Sequence, residues 1–451
     1  MKKNDYFIGT CSDLTHDGRG VVKHENFTYF VPGMLINETG NIKVIKMLKN
    51  YGVGRLIELT IPSKHRQEPR CPVYKQCGGC SLQHLSSNGQ QEFKTKRVKD
   101  ALTRLGDCDV HVNECEMMED PWNYRNKVQM PVGMKNNHVV AGFYKAKTNE
   151  IVPTRSCDIQ NVKSNKLVNR VVELMEQLKI NPYDKELHTG NIKHILTKHG
   201  YHTDELMLVL ISFKRKIRDL DKMVAILTKE FPELKTIVHN YNPRKDNVIL
   251  GDEETVVYGP GYIQDYLLGN LFNISAKSFY QVNPIQVEKL YQTAIERSSI
   301  TKDDVVLDAY CGIGTITLSL AKHVKKAYGV EIVAAAIDDA KNNAKVNNIE
   351  NVEFALGDAG EYMMGLVEKG TAVDVVFIDP PRKGCSQEFL DHLIKANPRE
   401  IVYISCDVAT QARDIKYLQD HYKADYCQPV DMFPQSTHVE TVVLMSRVEG
   451  K

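Results

Sequence analysis

The chain has 451 residues, 42% of them apolar, with eleven cysteines and a formal net charge of +1. That length suits two or three domains, each with its own core. No apolar run reaches membrane-spanning length and the first residues lack a signal-peptide core, so a cytoplasmic location away from any membrane is expected. An odd number of scattered cysteines argues against a disulfide scaffold and leaves the thiols for metal or catalysis. The small net charge conceals a segregation: residues 301–451 carry 16 Lys and Arg against 23 Asp and Glu, and residues 1–300 carry 42 against 34. A polyanion held by the first two-thirds would account for it, as would an ordinary solvated surface.

Residues 6–12, 20–23, 27–31, 41–48 and 55–60 read as five short strands, parted by Asp17-Gly-Arg-Gly20, Pro32-Gly33 and Thr39-Gly40. Such density fits a small barrel of the oligonucleotide-binding sort, ringed with charge by Lys43, Lys46, Lys49 and Arg55. The stretches Gly18-Arg-Gly-Val-Val22 and Tyr29-Phe-Val-Pro-Gly33 resemble the TRAM domain, an RNA-binding barrel found on RNA-modifying enzymes. A barrel that only docks another protein is the alternative. A polar linker at 62–69 leads to Cys71-Pro-Val-Tyr-Lys-Gln-Cys77-Gly-Gly-Cys80. Three cysteines in ten residues, with a Gly-Gly permitting close backbone approach, have metal-ligand spacing. Cys157, in the polar loop Pro153-Thr-Arg-Ser-Cys157, is the expected fourth ligand; Cys108 and Cys115 are nearer but lack such a turn. All-thiolate ligation suits zinc or an iron–sulfur cluster, and spacing does not separate them.

Residues 91–105 have the period of an amphipathic helix, with Phe93, Val98, Leu102 and Leu105 on one side and Lys and Arg opposite. Trp122-Asn-Tyr-Arg-Asn-Lys127 interleaves aromatic and basic side chains, as base stacking with phosphate pairing requires and as a packed tryptophan amid surface charge would also give. Helices at 162–180 and 219–231 and strands at 192–198, 205–213 and 236–240 make residues 61–270 a central α/β domain that carries the cysteines.

Residues 271–451 read as a doubly wound, Rossmann-like α/β domain. Asn283 and Pro284 cap and open a helix reaching about residue 298. A buried strand at 305–308, the turn Ala309-Tyr-Cys-Gly-Ile-Gly314 and a helix at 316–323 set a ligand site at the strand carboxyl ends. A dinucleotide fingerprint needs a third glycine where Thr317 stands, and Asp308 would repel a phosphate. Glu331 closes the next strand, 327–331, at the offset where an acid takes ribose hydroxyls. A positively charged nucleoside without phosphate, S-adenosylmethionine, fits; a nicotinamide domain with an unusual turn is the alternative. After a helix at 334–347, strand 352–356 leads to Asp358, strand 373–378 to Asp379-Pro-Pro-Arg-Lys-Gly384, and strand 401–404 to Ser405-Cys406-Asp407. A hairpin at 428–432 and 437–446 closes the edge.

Asp379-Pro-Pro presents a carboxylate rigidly, because the prolines fix φ and the first restricts Asp379 too. Methylation of exocyclic amines uses a similar turn, but an amine needs no thiol. Carbon-5 of uracil does: it becomes nucleophilic only after a thiolate adds to carbon-6, and a base must then remove the carbon-5 proton. Cys406 and Glu440, in Thr437-His-Val-Glu-Thr441, supply that pair; Cys311 in the cofactor turn and Cys385 after Lys383-Gly384 are rival thiols.

Ser278-Phe-Tyr-Gln-Val-Asn283, residues 305–315, Asp379-Pro-Pro-Arg382, Tyr403-Ile-Ser-Cys-Asp407 and His438-Val-Glu-Thr441 resemble, in order, the motifs of the RNA uracil-5-methyltransferases. The likeness runs over nearly the whole chain. It implies that Gln281, Tyr310, Glu331 and Asp379 contact S-adenosylmethionine, with Asp358 near its adenine end, that Cys406 is the nucleophile and that Glu440 is the base. Asp407 stands where many relatives have Asn, with no change of chemistry expected. Cys71, Cys77, Cys80 and Cys157 match the form of the family that carries a four-iron, four-sulfur (4Fe-4S) cluster and modifies 23S ribosomal RNA. Transfer-RNA-specific relatives typically lack the TRAM domain and the cluster. The expected protein is thus a monomeric ribosomal RNA (uracil-5-)-methyltransferase. A transfer-RNA uridine or exocyclic-amine methyltransferase and a non-catalytic iron–sulfur RNA-binding protein are the alternatives.

Overall fold

The computed structural model describes residues 1–448. Its first five strands, β1 (Tyr6–Leu14), β2 (Gly20–His24), β3 (Phe27–Val31), β4 (Thr39–Met47) and β5 (Gly52–Ile61), close into a barrel in the order β1-β2-β3-β5-β4. Alternation along β1 and β4 sends Phe7, Cys11, Ile42 and Val44 inward to meet Val22, Tyr29 and Val31. Closure is made by a short parallel pairing, Tyr29 with Gly52 and Phe30 with Val53. A Cβ on Gly52 would run into the Tyr29 ring, so only glycine permits that approach. The barrel is moored by buried Glu38, whose carboxylate accepts from the Arg66 guanidinium and from the Leu35 and Ser63 amides.

Helix α1 (Ser87–Gly106) starts on a Ser86 cap that accepts from Gly89 N. It buries Phe93, Val98 and Leu102, whereas Leu105, expected on the same side, is 51% exposed. Although α1 precedes the central sheet in the chain, Val98 and Leu102 enter the core of the last sheet. Residues 107–118 continue there, bridging Val112 to Cys427 and Glu116 to Val430.

The central sheet holds β6 (Lys127–Lys135), β7 (His138–Tyr144), β8 (Ile151–Pro153), β9 (Ile192–His199), β10 (Leu206–Ser212), β11 (Leu234–Tyr241) and β12 (Glu253–Tyr258), in the order β12-β11-β10-β9-β6-β7-β8. Helices α2 (Val162–Gln177) and α3 (Leu220–Glu230) cover one face, packing Leu167, Val171 and Leu227 on Ile195, Leu208 and Leu210. The alternate residues Leu196, Met207, Val209 and Ile211 face a second core, shared with the hairpin β13 (Tyr262–Leu267) and β14 (Asn270–Ser275) and with the last sheet. Burial on both faces explains why β9 and β10 are buried at every position.

Helix α4 (Pro284–Arg297), capped by Asn283, leads into β15 (Val305–Ala309), α5 (Thr315–Ala321), β16 (Lys326–Glu331), α6 (Ala334–Val346), β17 (Val352–Leu356), α7 (Ala359–Glu368), β18 (Val375–Ile378), α8 (Gln387–Ala396), β19 (Glu400–Ser405), α9 (Val408–Leu418), β20 (Tyr422–Val430) and β21 (Glu440–Arg447). The strand order is β17-β16-β15-β18-β19-β21-β20. The first five are parallel, and β21 runs antiparallel between β19 and β20. The order reverses between β15 and β18, which opens a crevice at the carboxyl ends. Among the described residues no helix is long and apolar enough to cross a membrane.

Candidate active site

The carboxyl ends of β15, β16 and β17 gather one set of groups. Asp308 is fully buried in β15; its Oδ2 accepts from Thr317 Oγ1 at 2.5 Å, and its Oδ1 has no partner. Burial, opposed by Thr317, pushes this carboxyl up to about 7. Tyr310 enters the turn with φ of 68° and sets its ring against Phe389, 5.6 Å between centroids. Glu331 accepts from Gly312 N at 3.3 Å, Ile332 N at 2.9 Å and Val333 N at 3.0 Å, which fixes its carboxylate across the turn. Asp358 is exposed and caps α7 by accepting from Gly360 N at 2.8 Å and Glu361 N at 3.1 Å. The glycine turn has no side chain in its way at Gly312, and Gly314 takes φ of 84°.

The second set lies at β18, β19 and β21. Because β21 pairs antiparallel with β19 through Ser405 and Thr441, its first residue, Glu440, falls beside the carboxyl end of β19, where Cys406 follows. Glu440 is 2% exposed and its Oε2 has no hydrogen-bond partner. Burial and then the neighbouring Asp379 charge push it well above the usual carboxylate range, against Arg382. Asp379 is raised by burial as well. Half-buried Cys406 is pushed up to about 11 by burial, Glu440 and Asp379, with Arg382 pulling the other way. The arrangement sets a half-buried thiol near a buried carboxylate whose Oε2 is unpartnered, with the Arg382 charge acting on both.

The turn after β18 is held in place: Thr410 Oγ1 donates to Arg382 O at 3.2 Å and Gly384 N to Pro381 O at 2.8 Å. Cys385 is taken up elsewhere, its amide on Asp414 Oδ2 at 2.9 Å and its sulfur 3.8 Å from the Tyr403 hydroxyl. Cys311 is 4% exposed in the core. Sequence reasoning missed Tyr291, on α4. Its hydroxyl interacts with Thr315 and Gln281, and burial together with Asp379 and Glu440 raises it far above a normal phenol. A tyrosine in mid-helix gives no signal of this; only the fold brings it to Gln281.

Cys71, Cys77, Cys80 and Cys157 line one cavity of about 280 Å³, together with Arg125 and Lys127. Cys108 and Cys115 lie instead against the core of the last sheet. Among the described residues no three His, Cys, Asp or Glu side chains close on a single metal ion.

A larger cavity, about 1,100 Å³, adjoins the second set. Its walls are the barrel (Thr15, His16, Asn37), the linker (Lys64, His65), the α1 face bearing Lys96, Arg97 and Arg104, and Asp407 to Ala409 next to Cys406.

The profile of the tRNA (uracil-5-)-methyltransferase family matches residues 87–448. The chain is 45% identical over 451 residues to an uncharacterized RNA methyltransferase of Bacillus cereus, covering all of this chain and 98% of that one. It is 44% identical over 446 residues to one of Listeria monocytogenes, covering 99% and 98%. Among solved structures, it superposes on Pyrococcus abyssi tRNA (uracil-54, C5)-methyltransferase in complex with S-adenosyl-L-homocysteine with a TM-score of 0.78 and 26% identity, covering 97% of this chain and 99% of that one. The doubly wound sheet, its order reversing between β15 and β18, is that of a methyltransferase. The chain belongs to the tRNA (uracil-5-)-methyltransferase family, a family of RNA methyltransferases.

Proposed function

We propose that the protein transfers the methyl group of S-adenosylmethionine to carbon-5 of a uridine in 23S ribosomal RNA. The observation that carries this reading is the β19–β21 register, which sets a free thiol and an unpartnered buried carboxylate side by side at the ligand edge of the sheet. S-adenosylmethionine supplies an electrophilic methyl. Gln281, Tyr310, Glu331, Asp358 and Asp379 are the residues that would hold it, and the solved relative was crystallised with its demethylated product. Cys406 Sγ bonds to carbon-6, and the displaced electron pair makes carbon-5 the nucleophile that takes the methyl as the donor's sulfur–carbon bond breaks. Glu440 then takes the carbon-5 proton; that electron pair restores the 5,6 double bond and expels the Cys406 thiolate. The Arg382 charge acts on both groups and favours their ionised forms.

Cys71, Cys77, Cys80 and Cys157 would hold a four-iron, four-sulfur cluster, with Arg125 and Lys127 offsetting its negative charge. Anaerobically purified protein should be brown, with iron and acid-labile sulfide that Cys77→Ser abolishes; stoichiometric zinc without sulfide overturns the assignment.

The second reading, a transfer-RNA uridine, is favoured by the solved relative, a transfer-RNA enzyme whose likeness covers 97% of this chain. The barrel therefore does not by itself distinguish the two targets. The deciding experiment incubates the protein with labelled S-adenosylmethionine and with ribosomal or transfer RNA from a strain lacking the gene. 5-Methyluridine in the ribosomal RNA is expected. Label confined to transfer RNA selects the second reading, and label on an exocyclic amine overturns both.

A further inference from the structure

The segment that carries the cysteines is hydrogen-bonded directly to the loop that ends in Glu440. The amides of Ser81 and Leu82, next after Cys80, both donate to Gln435 O at 3.0 Å, and Ser81 Oγ accepts from Thr437 N at 3.2 Å. Tyr124 packs with Cys80 and Cys157 and donates its hydroxyl to Pro434 O at 3.0 Å. Residues 431–439 form neither helix nor strand, so outside partners, these together with Gln90, Lys94 and Arg97 of α1, define the loop's path into β21. On the cavity's other side, Asn126 lies between the cavity-lining Arg125 and Lys127. Its amide donates to Val282 O at 2.9 Å and its side chain to Gln281 O at 3.0 Å. One cysteine-lined centre therefore borders both loops of the active site.

We propose that Ser81 and Tyr124 are positioning residues for the reaction, setting Glu440 to take the carbon-5 proton. The proposal rests on the reading of Glu440 as the base. In that step the proton passes to the Glu440 carboxylate, its electron pair forms the 5,6 double bond, and the bond from Cys406 Sγ to carbon-6 breaks. A displaced loop slows this step and leaves binding of RNA and S-adenosylmethionine as before.

The test uses full-length protein with a uridine-containing ribosomal RNA fragment and compares Tyr124→Phe and Ser81→Ala with the wild type at equal iron and sulfide per chain. Tyr124→Phe keeps the packed ring and loses only the bond to Pro434; Ser81→Thr keeps the hydroxyl and should behave as wild type. Each disrupting variant should lower kcat about tenfold, the worth of one well-placed hydrogen bond. KM for RNA should stay within about twofold, and the covalent protein–RNA adduct should build up on denaturing gels. A general loss of stability would instead lower the melting temperature and the amount of active enzyme, without adduct. Wild-type turnover and adduct level in both variants, beside accumulation in Glu440→Gln, overturn the proposal. If Glu440→Gln releases product freely, the base assignment is what has failed. With adduct accumulating in Glu440→Gln, the split between kcat and KM decides: a fall in kcat at constant KM upholds positioning, and no fall refutes it.

Discussion

Lys94 and Asp431 form an ion pair in which both side chains are 0% exposed, joining α1 to the loop that leads to Glu440. Lys94 Nζ also donates to Phe433 O at 3.2 Å, while Asp431 Oδ2 has no partner. Burial pushes the Asp431 carboxyl up, and Lys94 pulls it only part of the way back. Removing one member of such a pair strands the other charge, at about 3–5 kcal/mol. Lys94→Met should therefore lose that much stability in urea unfolding, and adding Asp431→Leu should recover most of it. A loss below about 1 kcal/mol, as for a surface pair, would show that the interior is wetter than it is here.

The raised carboxyls give a signed pH dependence. An unfolded Glu titrates near about 4.3. Folded Glu440 is held above that, by burial first and Asp379 second. The folded protein therefore keeps a proton that the unfolded chain releases. This contribution to stability is whole below the unfolded value and lost as pH rises through the folded one. Glu440→Gln removes the cost of ionising a buried group, so its advantage in melting temperature over wild type should grow from pH 5 to pH 9. The gain should be on the order of 1–3 kcal/mol. Methylation by the wild type should run the other way, kcat/KM rising over the same range as Glu440 and then Cys406 ionise. A melting difference that ignores pH would show that Glu440 is not the strained group.

Where one periodicity governed, the sequence was explicit: strands 27–31 and 352–356 lie at their expected bounds, and all five barrel strands are present. Cys157 could be chosen over Cys108 and Cys115 because a polar loop presented it, and it lies at the cavity with the other three. Strands β6, β7, β8, β12, β13 and β14 went unread, since Pro131 interrupts the first and β12 is largely exposed, without a buried face to mark it. Tyr291 and the Lys94–Asp431 pair were invisible for another reason. Residues 337 apart meet only after the chain has folded, and a lysine inside an amphipathic helix reads as solvated until its partner arrives.

The cavity between barrel, linker and α1 makes RNA binding testable without deleting the barrel. Lys64 is exposed on one wall and Arg104 on the other, its side chain 71% accessible, so both can reach phosphates without breaking a core. Lys64→Ala and Arg104→Ala should each weaken binding of the RNA fragment and lower the slope of log affinity against log salt by about 1. Affinity for S-adenosylmethionine should be untouched. Unchanged slopes in both variants would move the RNA path off this groove.

The identity of the nucleophile separates two thiols with different surroundings. Cys385 is 6% exposed, faces Tyr403 and Asp414, and is pushed up to about 12 by burial, Asp414 adding to it. Cys406 is more open, beside Glu440 and Arg382. Cys406→Ala should abolish both methylation and any covalent RNA adduct while retaining S-adenosylmethionine, and Cys385→Ala should keep turnover. Glu440→Gln should add to the base and methylate it, then stall, so that a protein–RNA complex survives a denaturing gel. A 5-fluorouridine substrate should arrest the wild type at the same stage, because fluorine does not leave as a proton does. An adduct persisting in Cys406→Ala and vanishing in Cys385→Ala would transfer the role to Cys385. Methylation intact with no adduct in any variant or with 5-fluorouridine would exclude thiol addition and return the exocyclic-amine mechanism.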